Sequence, residues 1–271
     1  MSHDRHWTAE FYRSHPVFRT EQFLAAARGN DETARTLLKQ ARRGGRIRQV
    51  RRGLWYAAPD PAAARHDPDP FAVAATVCSD SVICMHAAMQ LHGYGYSMLS
   101  TLTYYTASRP GTFTVGGAVI RPVALPAKLV AVDATGHAVD TVERHGTVVR
   151  VTSIERSLVD MLDRQDLSGG IEEVWRTADQ LGYLDDRRLL DYVRVRGSAQ
   201  LAARTGYLVE HVASLRVADE TIEALRTIAA SGAGPFVLAP GERGDARYDA
   251  SWQLRVPLTV AEQSWEEPVE W

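Results

Sequence analysis

The sequence predicts an α/β (α+β) protein: a small basic N-terminal module, then a mixed α/β body whose C-terminal half is helical. Three stretches predict it. Residues 30–56, NDETARTLLKQARRGGRIRQVRRGLWY, read as a bounded helix followed by an arginine-rich hairpin. The strand-like runs Leu102–Ala107, Thr112–Val115, Ala118–Ala124, Leu129–Asp133 and Thr147–Val151 are rich in β-branched and aromatic residues. After Thr152 apolar residues recur at helical spacing instead.

In chain order, Trp7 to Ser14 predicts a short helix presenting Trp7, Phe11 and Tyr12, which His15-Pro16 breaks. Thr20 caps a second helix with a packing stripe of Phe23, Leu24 and Ala27, and Gly29 ends it. Asn30 or Asp31 then caps a third helix, and Gly44-Gly45 supplies the left-handed residues that stop it. Within it, Ala34, Leu37, Leu38 and Ala41 fall at i, i+3, i+4 and i+7 and share a packing face. Glu32, Arg35, Thr36, Lys39 and Arg43 lie on or beside the opposite face. Arg46–Val50 and Leu54–Tyr56 pair as strands around Arg51-Arg52-Gly53, where glycine tolerates the positive φ of a tight turn. Three short helices closed by a basic hairpin are the layout of a winged helix-turn-helix.

Charge supports that layout. From Lys39 to Arg52 there are seven basic residues and no acidic one, so the run must be solvated or face a polyanion. Residues 1–58 hold 12 Lys+Arg against 5 Asp+Glu, a net +7, which leaves 19 against 28, or −9, for the rest. A total of −2 thus hides a basic head on an acidic body. In a winged head the third helix enters the major groove. Arg35, Thr36 and Lys39 are then candidates for base or near-base contact, with Glu32 and Arg43 on the same face. Arg46, Arg48, Arg51 and Arg52 are candidates for phosphate contact, which supplies affinity rather than sequence choice.

Residues 59–70 read as a linker, since Pro59, Pro61, Pro68 and Pro70 forbid regular structure. The expected domains are 1–58, the DNA-binding head; 71–258, the body; and 259–271, an acidic tail. Asp69-Pro70 opens a helix through Phe71, Val73, Ala74 and Val77. After the apolar run Ser81–Cys84, Met85 to Leu91 forms another, ending at His92-Gly93. Gly116-Gly117 turns a hairpin. Helices follow over Ile154–Leu162, Ile171–Leu181, Asp186–Val195, Ala199–Val212 and Asp219–Ala229, then strands over Phe236–Leu238 and Trp252–Val256. The tail from Val260 is expected to be mobile, with Trp265 and Trp271 available to a partner.

Thr152-Ser153-Ile154-Glu155 reads as a capping box, with Thr152 accepting from the third helical amide. Arg156 and Asp160 follow as an i, i+4 ion pair. His86 and His92 are six apart and do not share a helical face as zinc ligands would, so one reads as a helix cap and the other as a core histidine. Asp160 and Asp163 point to different faces and lack an accompanying lysine, which argues against a nuclease pair. Cys78 and Cys84, the only cysteines, match neither a zinc pair nor a disulfide framework and read as buried thiols in a reducing compartment. No HExxH, P-loop, GxSxG or paired CxxC motif occurs. The expectation is a non-enzymatic protein without metal or cofactor. A polar N-terminus and the lack of a long apolar run point to the cytoplasm rather than a membrane.

RRGLWY (51–56), HAAMQLHGYG (86–95), VTSIERSLVDML (151–162) and ARTGYLVEHV (203–212) together resemble the AbiEi-type antitoxins of type IV toxin-antitoxin systems, over roughly residues 18–256. His86, Ala88, Leu91, His92 and Gly93 match the family's helix closing in Leu-His-Gly, although Met85 stands where serine is usual. Thr152, Glu155, Arg156, Leu158, Val159 and Asp160 match a second helix, with Ser157 in place of threonine. The resemblance implies a transcriptional repressor and antitoxin that binds inverted repeats in its own promoter DNA. It also implies a nucleotidyltransferase-like toxin as genetic partner, with no stable complex expected. Two other readings stand beside it: a ligand-sensing winged-helix regulator, and a degenerate relative of nuclease-fused homologues. For the latter, the chain lacks the acidic strand such a nuclease needs, since Asp245 and Asp249 lie in a glycine-rich loop.

Overall fold

The computed structural model describes residues 2–27, 31–58 and 66–266. Gly29, Asn30, most of the linker and Trp271 lie outside these residues. The chain is mixed α/β and divides into two compact units. The first comprises Met1–Ile83, Ser100–Ala124 and Asp140–Val151; the second comprises Cys84–Leu99, Leu125–Val139 and Thr152–Trp271. Charge follows this division. The first unit holds 17 Lys+Arg against 11 Asp+Glu, or +6, and the second 14 against 22, or −8.

The first unit begins with α1 (Ser2–Ser14), β1 (Val17–Arg19), α2 (Thr20–Ala26), α3 (Asp31–Arg43), β2 (Ile47–Arg51) and β3 (Leu54–Ala57). The strands form one sheet in the order β1-β3-β2, with both pairs antiparallel. β1 is absent from the sequence expectation. Three residues give no alternation to read, and the strand exists by pairing, Val17 opposite Tyr56 and Arg19 opposite Leu54. Thr20 is not the cap of α2 either. Arg19 takes that position, its amide donating to Gln22 Oε1 at 2.8 Å. The Thr20 hydroxyl instead accepts from Trp55 Nε1 at 2.9 Å and donates to Gly53 O at 3.3 Å, tying α2 to the hairpin. Gly53 turns that hairpin at φ +79°. Phe11, Phe18, Phe23, Ala34, Leu38, Ala41, Ile47 and Ala57 form a buried core, with Trp7, Tyr12 and Trp55 packed against it.

The unit continues with α4 (Pro70–Thr76) and a six-stranded mixed sheet. Its strands are β4 (Val82–Ile83), β5 (Thr101–Tyr105), β6 (Phe113–Val115), β7 (Ala118–Val123), β8 (Val139–Arg144) and β9 (Thr147–Thr152), in the order β6-β7-β5-β4-β9-β8. β4 with β9 and β5 with β7 are parallel pairs, which makes the sheet mixed. Asp69 caps α4 by accepting from the Phe71 amide at 3.2 Å, and it pairs with Arg144 at 2.6 Å. The polar alternation VDTVER conceals β8 from a sequence reading, since neither face of it is fully buried.

The second unit holds α5 (Met85–His92), α6 (Ala127–Ala131), α7 (Ile154–Asp163), α8 (Gly170–Asp179), α9 (Asp186–Arg196), α10 (Ala199–His211) and α11 (Asp219–Ala230). A small sheet, β10 (Phe236–Val237), β11 (Ala246–Asp249) and β12 (Leu254–Pro257), runs in the order β10-β12-β11, followed by α12 (Leu258–Ala261). Four expectations need correction. Residues 129–131 lie in helix α6, not in a strand, because Pro126 starts a turn of helix that buries Leu129. The polar loop after residue 240 contains β11, paired in register with β12 from Ala246 opposite Pro257. Trp252 lies before the strand rather than in it. The start of the tail is docked: Trp265 packs edge-on against Trp175, and its carbonyl accepts from Arg176 at 2.9 Å. No helix among the described residues is long and apolar enough to cross a membrane.

α10 shows why ARTGYLVEHV has its composition. Trp252 is fully buried, and a Cβ built on Gly206 would lie 2.0 Å from its ring. The indole Nε1 donates to Glu210 Oε2 at 2.5 Å, and Arg226 covers the ring at 4.9 Å while pairing with Glu210 at 2.7 Å. Gly206→Ala is therefore expected to destabilise the protein by about 3 kcal/mol through overpacking. A urea midpoint unchanged in this variant would show that Trp252 moves aside freely.

Candidate nucleic-acid interface

The third helix presents two faces. Ala34, Leu38 and Ala41 are buried, and Leu37 is partly buried against the same core. Glu32, Thr36, Lys39 and Arg43, at i, i+4, i+7 and i+11, form an exposed line opposite them. Arg35 flanks this line and is also exposed. Arg42, two turns further on, flanks it too and is exposed; it is not among the expected site residues, although its seven-residue spacing from Arg35 carries the signal. Arg35, Lys39, Arg42 and Arg43 have no ion-pair partner among the described residues. They are cations in water on a helix whose other side is anchored.

The hairpin divides its arginines. Arg46 and Arg52 are exposed and have no ion-pair partner among the described residues. Arg48 is committed within the unit: it pairs with Asp67 at 2.9 Å, donates to His66 O at 3.0 Å and lies over the Tyr56 ring. Arg51 stacks over Phe113 at 4.7 Å and donates to Gly111 O at 3.3 Å. Arg46 and Arg52 are thus exposed, as the α3 cations are, whereas Arg48 and Arg51 turn toward Asp67 and the β6 hairpin. One-dimensional spacing could not separate these pairs, because Asp67 lies 19 residues from Arg48 and Gly111 lies 60 from Arg51 in the chain.

No protein-family model matches the chain, and no curated protein matches it. Solved structures do match. The crystal structure of RV2827C protein from Mycobacterium tuberculosis superposes with a TM-score of 0.56 at 15% identity. The similarity covers 96% of this chain and 94% of that one, and at this identity it is a likeness of fold.

The other singled-out residues build the second unit. His86 is buried, and its Nε2 lies 2.7 Å from Glu173 Oε1, making it the core histidine of the pair. Burial pushes the Glu173 carboxyl up, but bonds from Ser97 and His86 outweigh it and hold the group below the usual range. His92 does not cap its own helix. Its Nε2 lies 2.8 Å from Thr152 O, and Gly93 ends α5 at φ +86°. The N-cap shifts by one residue and no reciprocal box forms: Ser153 is the N-cap and accepts from the Arg156 amide at 3.2 Å, while Thr152 bonds the Ser157 hydroxyl at 2.6 Å. Glu155 does not bond back, because it accepts from the Asp185 amide at the start of α9.

Arg156 and Asp160 pair at 3.4 Å as expected, both buried. Arg156 also donates to Thr135 O and His137 O, at 3.0 and 2.6 Å. Asp160 accepts from Tyr192 Oη at 2.6 Å and from Arg196. The same guanidinium reaches Asp163 at 2.6 Å, so residues 160 and 163 do share a side of α7, contrary to expectation. Both carboxylates are occupied by structural partners. Asp249 accepts from the Trp252 amide, again a structural bond. Cys84 is buried, but Cys78 is only half-buried, and neither is in a disulfide.

Proposed function

We propose that this protein is a non-enzymatic DNA-binding transcriptional repressor and antitoxin of the AbiEi type. Its N-terminal module would be a winged helix-turn-helix. The element order α1-β1-α2-α3-β2-β3 and the sheet order β1-β3-β2 support that reading, because a winged helix places its recognition helix and its hairpin in this succession. The observation that carries the proposal is the row of exposed cations on α3, with Arg46 and Arg52 exposed on the hairpin that follows it in the chain, on a module with its own aromatic core. Such a surface is an electrostatic footprint for a duplex. α3 would lie in the major groove of inverted repeats in the gene's own promoter, with Arg35, Thr36 and Lys39 near base edges and Arg42, Arg43, Arg46 and Arg52 on phosphates. A second unit of net charge −8 would be repelled by nucleic acid, which leaves the first unit as the anchor.

The antitoxin half of the proposal rests on the four motif segments and their order along the chain. A nucleotidyltransferase-like toxin would be the genetic partner, opposed without a stable complex. The test is a gel-shift titration on the DNA upstream of the gene, with excess unrelated duplex. Tight, competitor-resistant binding is expected. Arg35→Ala or Thr36→Ala should change the ranking of operator variants by about 1–3 kcal/mol per lost base contact. A uniform loss across all variants would remove α3 from the groove.

A further inference from the structure

The first unit contains a cleft of about 320 Å³ that DNA binding as described does not use. Its walls are the end of α1 with β1 and the start of α2, the turn after α4, and the β8–β9 turn with β9. Arg19, Arg150, His15, Ser79, Ser81 and Thr147 bring polar groups to it, and no Asp or Glu lines it among the described residues. Arg19 is fixed in its wall by a bond from Nη1 to Thr76 O at 3.2 Å and a loose pair with the exposed Glu21 at 3.7 Å. Arg150 is exposed and has no ion-pair partner among the described residues. The Ser81 hydroxyl accepts from the Cys78 amide at 3.1 Å, which leaves its proton to donate. Thr147 Oγ1 is a buried hydroxyl with no hydrogen-bond partner among the described residues. With His15 Nδ1 engaged by Phe11 O and Ser14 Oγ, Nε2 is the ring nitrogen left for a ligand.

We propose that this cleft is an effector site for a small phosphate monoester. Two guanidiniums, an imidazole and several hydroxyls without a carboxylate select a compact dianion through charge-assisted hydrogen bonds. The volume is at the small end for a ligand site and holds a phosphoryl group with a sugar-sized body. The phosphate of a bound duplex has the same chemistry and is the other source to be distinguished. Arg19 immediately precedes Thr20, whose hydroxyl holds Gly53 and Trp55 of the hairpin, so an occupant of the cleft bears on the proposed wing. That effect on duplex binding rests on the DNA-binding reading; occupancy itself does not.

The test is calorimetric titration of the intact protein, without DNA, with inorganic phosphate, glycerol 3-phosphate and glucose 6-phosphate at constant ionic strength, and sulfate as control. Saturable one-site binding of a monoester is expected. Arg150→Ala and Thr147→Val should each weaken it by about tenfold, the order of a lost hydrogen bond to a charged group, without moving the melting midpoint of the unliganded protein. Arg121→Ala, on the exposed side of β7 and outside the cleft, should not. No saturable binding would overturn the site. Binding matched by sulfate and indifferent to Arg150→Ala would overturn it equally. If no monoester binds while Arg150→Ala flattens the salt dependence of duplex binding by about 0.9, the cleft takes a DNA phosphate instead and the effector proposal falls. Saturable monoester binding in a protein that binds no duplex would uphold the site and sink only the DNA-binding reading.

Discussion

Changing Arg42, Arg43, Arg46 and Arg52 together to alanine is expected to reduce duplex affinity by roughly a thousandfold near 0.15 M salt. Each phosphate contact contributes about 0.9 to the slope of log affinity against log salt, so four lost contacts flatten it by about 3.6. All four side chains are exposed and without ion-pair partners among the described residues, so their removal takes nothing from the core. The companion double variant, Arg48→Ala with Arg51→Ala, should leave the slope nearly unchanged. Those guanidiniums are already committed to Asp67 and to Phe113 with Gly111 O. Fluorescence anisotropy titrations at four salt concentrations separate the two. A slope flattened by the double variant and untouched by the quadruple one would move the interface off α3.

Asp160→Ala is expected to destabilise the second unit by about 3–5 kcal/mol, since it leaves buried positive charge unpaired. Asp160 is 1% exposed, accepts from Tyr192 Oη and faces two guanidiniums, those of Arg156 and Arg196. Burial, reinforced by the adjacent Asp160 carboxylate, pushes the Tyr192 hydroxyl well above its ordinary range, so it remains a proton donor. The neighbouring Asp163 reaches the same Arg196 from a side chain that is 39% exposed. Asp163→Ala should therefore cost within about 1 kcal/mol, as for pairs in contact with solvent. Urea denaturation followed by circular dichroism measures both. Similar small losses in the two variants would mean that the network does not hold α7 and α9 together.

These two experiments address different parts of the chain, and the sequence prepared them unequally. The helices α7 to α11 and the packing stripe of α3 were legible because a 3.6-residue apolar period is local information. Gly53 and Gly93 were legible for a similar reason, since a positive φ belongs to one residue. The basic character of residues 39–52 is likewise written in composition. By itself, then, the sequence determined the fold class, the basic helix that stops at Gly44-Gly45, the hairpin after it and the Arg156–Asp160 pair.

Only the tertiary structure decided what depends on a partner distant in the chain. β1 and β11 are short strands created by pairing, and residues 129–131 became helical where a β-branched run suggested a strand. Arg48 and Arg51 look the same as Arg46 and Arg52 in one dimension. Asp67 and Phe113 distinguish them, because a guanidinium's role follows from what lies within a few ångströms of it. The cleft beside Arg19 has no sequence signature at all, since its lining comes from three separated segments that meet only when the N-terminal module and the sheet fold as one unit.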